Sequence, residues 1–293
     1  MPDLETFLGT WSFDPVAAVV LTAALVAYLL GVRRVARLGT RWPVGRGVAF
    51  VLGALGTYAV VSFGFLGTES RILRWAFVTR VAVLLLVVPL VALLGRPLDL
   101  ARAALPGPGG VRLQRFVTSR PARLVGNAVV APVVACALFC VFLTPLAGGW
   151  RTDLVADEAT GLLLPVLGLL LVLPVAAHTG VRSEVFIVAE FGFVFVELVL
   201  DAVPGLVLRL SGQVLDGVGA VAGTVPRWFP GPLADQHWAG DLLWSVAEVA
   251  DLPVLALLFV RWFRSDRHRA RAADALSEAE LEALVRDHLG RGR

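Results

Sequence analysis

Long apolar runs separated by short, Arg-bearing breaks set the pattern of this chain. A run of roughly 20 apolar residues is what a helix needs to cross a hydrocarbon core of about 30 Å. Seven such spans are read: about Val16 to Gly31, Val48 to Leu66, Ile72 to Gly95, Leu124 to Leu146, Gly161 to Ala177, Val185 to Val203 and Leu242 to Phe263. The longest outside connection runs from Pro204 to Gly240. Its stretch LVLRLSGQVLDGVGAVAG mixes apolar and scattered polar residues, which suits a helix lying in the membrane interface. WFPGP then turns the chain. Beyond the last span, Ser277 and Glu280 form a capping-box pair, with Leu281, Leu284, Val285 and Leu289 on one face of a short helix. The expected organisation is an all-α, polytopic transmembrane helix bundle over residues 1–263 and a basic cytoplasmic tail over 264–293.

Composition agrees with this pattern and excludes a soluble class. Hydrophobic residues make up 57% and charged residues 17%, with a mean hydropathy of +0.79. A soluble fold has too little interior to hide that share. The net charge of +3 comes without a single Lys: every basic residue is Arg. Arg clusters at 33–46, 96–123 and 261–293, with Arg182, place 20 of the 26 on one side of a seven-span alternation. That asymmetry sets the N-terminus outside and the C-terminus in the cytoplasm. The same clusters flank apolar spans, so they read as orientation signals facing lipid headgroups, and no nucleic-acid partner is expected. The N-terminal stretch carries Asp3, Glu5 and Asp14 and no basic leader region, so the first span is expected to stay in the mature protein.

Ionisable groups inside spans are costly, about 3 kcal/mol each on insertion scales, and so mark candidate sites. Glu190, Glu197 and Asp201 fall within about 40° of one another on the sixth span, a single acidic stripe. Gly240, Trp244, Glu248 and Asp251 share one face of the seventh. Arg74 and Arg80 in the third span are the expected counter-ions. Interhelical ion pairs that fix the bundle's register, and a proton or metal pathway along the stripe, are both consistent with this placement. Cys136 and Cys140 stand one helical turn apart, a spacing that offers two thiols to soft Cu(I) and equally suits two small packed side chains. His237, the further candidate metal ligand beside the two cysteines, lies at the outer mouth of the last span with Asp235 and Gln236, where all three are expected to stay wet. His178 belongs to the opposite side. No nucleotide loop, HExxH or nucleophile elbow occurs, and no enzymatic activity is expected.

The stretch DQHWAGDLLW followed by Glu248 is similar to the D-Q-x-x-G-G-x-x-M-W-x-x-x-E pattern of the CtaG-type cytochrome c oxidase assembly factors, the polytopic family found with caa-type oxidases. Asp235, Gln236, Gly240, Trp244 and Glu248 match, while Ala239 and Leu243 depart. WSFDP leading to Tyr28, RWPVGRGVAF, PLVALLGRPLDL, ELVLDAVPGLVL and VRWFRSDRHRAR resemble further family fragments in the right order. The resemblance implies a multi-pass protein of the bacterial cell (plasma) membrane that assists oxidase maturation. It implies oxidase subunits as partners and copper as the one possible cofactor. The family's third-span histidines have no counterpart from Trp75 to Val81, where Arg80 stands. The rival expectation is a proton- or solute-coupled transporter or channel using Glu190, Glu197, Asp201 and Glu248 as a relay.

Overall fold

The computed structural model describes residues 2–105, 107–117, 119–120, 130–177, 200, 202–218 and 225–274. Every regular element among them is helical. A short α1 (Leu4–Gly9) leads into α2 (Pro15–Arg37). Asp14 starts α2: its carboxylate accepts the Ala17 N–H at 2.9 Å, and Pro15 occupies the first turn, where a missing N–H costs nothing. There follow α3 (Val44–Glu69) and α4 (Arg74–Leu94), then the short amphipathic α5 (Pro97–Ala104) and α6 (Pro108–Val117). The second half holds α7 (Val130–Cys140), α8 (Leu146–Thr152), α9 (Leu154–Ala177), α10 (202–210) and α11 (Pro232–Asp274). By length and composition α2, α3, α4 and α9 can each cross a membrane, and the bent pair α7–α8 adds a fifth crossing if taken as one.

The core is built on α4, whose residues from Arg74 to Ala82 are all buried. Phe77 meets Phe142 and Trp150 edge-on, at centroid distances of 5.8 and 5.3 Å. α9 crosses α4 where α4 widens into a π turn over Val83–Val87. Gly168 makes that crossing possible, because a Cβ there would stand 1.9 Å from the Leu85 carbonyl oxygen. A second cluster ties the far end of α4 to α2. The Tyr28 hydroxyl donates to the Gly95 carbonyl at 3.0 Å and accepts from the Trp42 ring N–H at 3.0 Å, while its ring stacks on Phe50. Three sequence fragments that carry the family resemblance therefore meet at one point.

Several expectations are revised. The fourth span is not one straight helix. α7 ends at Cys140, a single 3-10 turn covers Val141–Leu143, and the chain bends by 88° into α8. Thr144–Pro145 stops the helix, since proline restricts the residue before it. Gly148 in α8 then packs against the 216–218 segment, where a Cβ would lie 2.4 Å from the Asp216 carbonyl oxygen. The fifth span starts earlier than expected and takes Asp157 into the helix. In the connection from Pro204 to Gly240 the first helix ends at residue 210, and the segment from 211 to 218 turns inward and buries Asp216. The last helix begins at Pro232, so Asp235, Gln236 and His237 occupy its first turns instead of preceding it. Glu190, Glu197, Asp201, His178 and the tail from residue 275 lie outside the described residues.

Candidate functional site: a buried arginine–aspartate box at the head of the last helix

α4 begins without help from its own sequence, because Leu73, the residue before its first turn, offers no side-chain cap. A helix start leaves several N–H groups unpaired, and burying them unpaired is costly. Asp235, reaching across from α11, supplies the missing acceptors. Its Oδ2 takes the Arg74 N–H at 2.9 Å and its Oδ1 takes the Trp75 N–H at 3.2 Å. The carboxylate also suits the positive end of the α4 dipole. One helix is thus capped by another, and the two are fixed end to side.

The Asp235 carboxylate also lies 3.7 Å from the Arg74 guanidinium. Arg74 donates to Asp216 at 2.5 Å, to the Pro232 carbonyl at 3.1 Å and to the Val218 carbonyl. Arg151, from α8, completes the box. It donates to the other Asp216 oxygen at 3.2 Å and to the carbonyls of Arg71 and Ile72 at 2.7 and 2.9 Å. Two guanidinium and two carboxylate groups sum to zero charge. All four residues are buried, with exposures of 6% for Arg74, 2% for Arg151, 5% for Asp216 and 0% for Asp235. A cavity of about 20 Å³ adjoins Arg74, Arg151, Asp216 and Gln236, which is room for about one water molecule.

Gln236 and His237 extend the clasp to the chain ahead of it. Gln236 accepts the Leu215 N–H at 2.8 Å and donates to the Gln213 and Leu208 carbonyls at 2.9 and 3.4 Å. His237 donates through Nε2 to the Ser211 carbonyl at 3.0 Å. Gly240 sits where α10 crosses α11: a Cβ on Gly240 would be 2.4 Å from the Gly205 carbonyl oxygen. The expectation that Asp235, Gln236 and His237 stay wet is therefore overturned for the first two, each 0% exposed. Their polar atoms are satisfied by backbone groups at the head of α4, at the end of α10 and in the 211–218 segment that follows it.

The other motif residues face away. Trp244 is 41% exposed and Glu248 is exposed, and the Trp244 ring N–H donates to the Glu248 carboxylate one turn on. The counter-ion expectation also changes. Arg80 pairs with Asp157 of α9, with Ser70 Oγ 3.2 Å from the same guanidinium nitrogen, and Arg74 pairs with Asp216 and Asp235. Glu248 is bound to neither arginine in this arrangement. Cys136 and Cys140 place their sulfurs 4.0 Å apart. They do not join His237 in one metal-ligand set, and among the described residues no cluster of three or more His, Cys, Asp or Glu side chains is placed to hold a metal.

Asp216, Arg151 and Asp157 are the residues that sequence reasoning missed. Asp216 carried a usable signal, as the one charged residue in the stretch from Gly212 to Pro226. A buried charge with no opposite charge beside it in sequence must find its partner in space.

A family model described as cytochrome c oxidase caa3 assembly factor (Caa3_CtaG) matches residues 26–265, a range that contains the box, the clasp and the exposed Trp244–Glu248 pair. The chain belongs to this family. Three mycobacterial proteins are also similar to it. Uncharacterized protein Mb0105 of Mycobacterium bovis is 24% identical over 295 residues, covering 96% of this chain and 44% of its own length. Uncharacterized protein MT0111 of Mycobacterium tuberculosis gives the same figures. Uncharacterized protein ML1998 of Mycobacterium leprae is 24% identical over 286 residues, covering 93% of this chain and 42% of its own length. The chain thus spans less than half the length of these curated relatives. No solved structure matches the chain.

Proposed function

We propose that this chain is a non-enzymatic membrane assembly factor for cytochrome c oxidase that presents the Trp244–Glu248 side of α11 to an oxidase subunit. The observation that supports this reading is the division of one motif between two jobs. Asp235, Gln236 and Gly240 are consumed in holding α4, α10 and α11 together. Trp244 and Glu248, on the same helix, remain exposed. A carboxylate on a membrane helix costs about 3 kcal/mol, so an outward one on a rigidly held helix suits a polar partner better than lipid.

The reading is completed by seven spans in a bacterial plasma membrane, N-terminus outside and C-terminus cytoplasmic, with the box at the outer end of α4. Assistance with copper insertion into the oxidase is the finer role we assign within it. In a strain lacking the chain, oxidase activity and oxidase copper content, measured on isolated membranes, are expected to fall to background. A fully active, copper-loaded oxidase in that strain would refute the assignment.

A further inference from the structure

Two donors of the arginine–aspartate box are still without acceptors. Arg74 and Arg151 engage Asp216 and the carbonyls of Pro232, Val218, Arg71 and Ile72 through their terminal nitrogens alone. The Nε–H of each meets no partner among the described residues, although both side chains are more than nine-tenths buried. Burying a donor without an acceptor is costly. Two such groups on opposite sides of one charge cluster call for a shared acceptor.

The shared space is present. Both arginines line the same cavity of about 20 Å³, between α4, α8, α10 and α11. Asp216 and Gln236 line it too, and each keeps acceptor capacity. Asp216 Oδ2 takes one donation, from Arg151 at 3.2 Å, and Gln236 Oε1 takes one, from the Leu215 N–H at 2.8 Å. Each of these oxygens offers two lone pairs. The other side chains around the cavity, Phe77 and Phe142 among them, are apolar. The cavity therefore adjoins residues with two unpaired donors and two free acceptor positions.

That balance selects the ligand. A water molecule accepts two hydrogen bonds and donates two, and one water needs about 10–15 Å³. A halide would accept from both Nε–H groups but would donate nothing to Asp216, and its charge would stand against the carboxylate. A cation offers no lone pair to the Nε–H groups and is repelled by two guanidinium charges. The four charges of the box already sum to zero, so an ion of either sign would leave a buried excess.

We propose that this cavity is a binding site for one fixed water molecule, which accepts from Arg74 Nε and Arg151 Nε and donates to Asp216 and Gln236. Among the described residues Gln236 makes no direct hydrogen bond to any of the four charged groups. The water is the link that joins the clasp around Gln236 to the box and makes them one network. Neither the water nor the link depends on the assembly reading.

The test uses crystals of the full chain that diffract far enough to show ordered water. One density peak is expected within about 3.2 Å of both Nε atoms. No peak there would overturn the site, as would side chains turned so that each Nε–H reaches a protein acceptor. A bromide anomalous signal at the peak, from crystals grown in bromide, would overturn the choice of ligand. In solution, the full chain carrying 15N-arginine is expected to show cross-peaks from the Arg74 and Arg151 Nε–H groups to a long-lived water. Ala239→Val and Ala147→Val each add two methyl groups at the lining and are expected to abolish both cross-peaks. Cross-peaks unchanged in both folded variants would overturn the location, and if neither variant folds the wild-type density decides alone. Oxidase activity is read in neither experiment, so the water site and the assembly role can fail separately.

Discussion

Asp235→Ala is expected to be the most damaging single substitution in α11. The change removes the carboxylate that caps α4 and takes away the acceptors of the buried Arg74 and Trp75 N–H groups. It also strips one carboxylate from beside Arg74. Removing one member of a buried charge pair costs about 3–5 kcal/mol. For a chain of this size that lowers the unfolding midpoint by about 10 °C. Asp235→Asn should fall between, since one amide oxygen can still accept while the amide NH2 meets the second donor. Amide exchange at Arg74 and Trp75, followed in detergent, gives a local reading: it should accelerate in both variants, and most in the alanine. Unchanged exchange at these two positions would contradict the capping role.

The second large effect is expected at Asp216. Its two oxygens serve both guanidinium groups, so Asp216→Ala leaves Arg74 and Arg151 facing each other with Asp235 as the one acid nearby. The cost is again about 3–5 kcal/mol, because two buried cations lose compensation together. The box also predicts non-additivity. Arg151→Met alone sacrifices the Asp216 contact and the donations to Arg71 and Ile72. Introduced into Asp216→Ala, the same change removes a charge that has already lost its partner. The double variant should therefore be less destabilised than the sum of the singles by about 1 kcal/mol or more. Unfolding midpoints that simply add would show that the four charges do not act as a unit.

Much of the fold could be read from apolar run length, because a helix that crosses a membrane must be long and apolar whatever its neighbours are. α2, α3 and α4 sit close to the expected spans for that reason. Two features escaped. The break at Thr144–Pro145 lies within a run whose average hydropathy stays high, so composition masked a turn that is made by one proline and its neighbour. The depth of Asp235 and Gln236 is not legible from their polarity, which by itself favours exposure. Their burial depends on orphaned backbone groups at Arg74, Trp75 and Leu215, and no sequence pattern points to a cap supplied by another helix. The motif itself was legible in sequence. What the structure adds is its division into a buried clasp and an exposed pair.

That division is tested most directly by complementing the deletion strain with Trp244→Ala and Glu248→Gln, measuring chain abundance and oxidase activity in the same membranes. Both side chains are exposed and lie outside the box, and the Trp244 Cβ that packs at the α10–α11 crossing beside Gly205 is kept by the alanine. The account predicts chain abundance equal to wild type with oxidase activity reduced to the level of the deletion strain. Full oxidase activity from the combined Trp244→Ala/Glu248→Gln chain would contradict it.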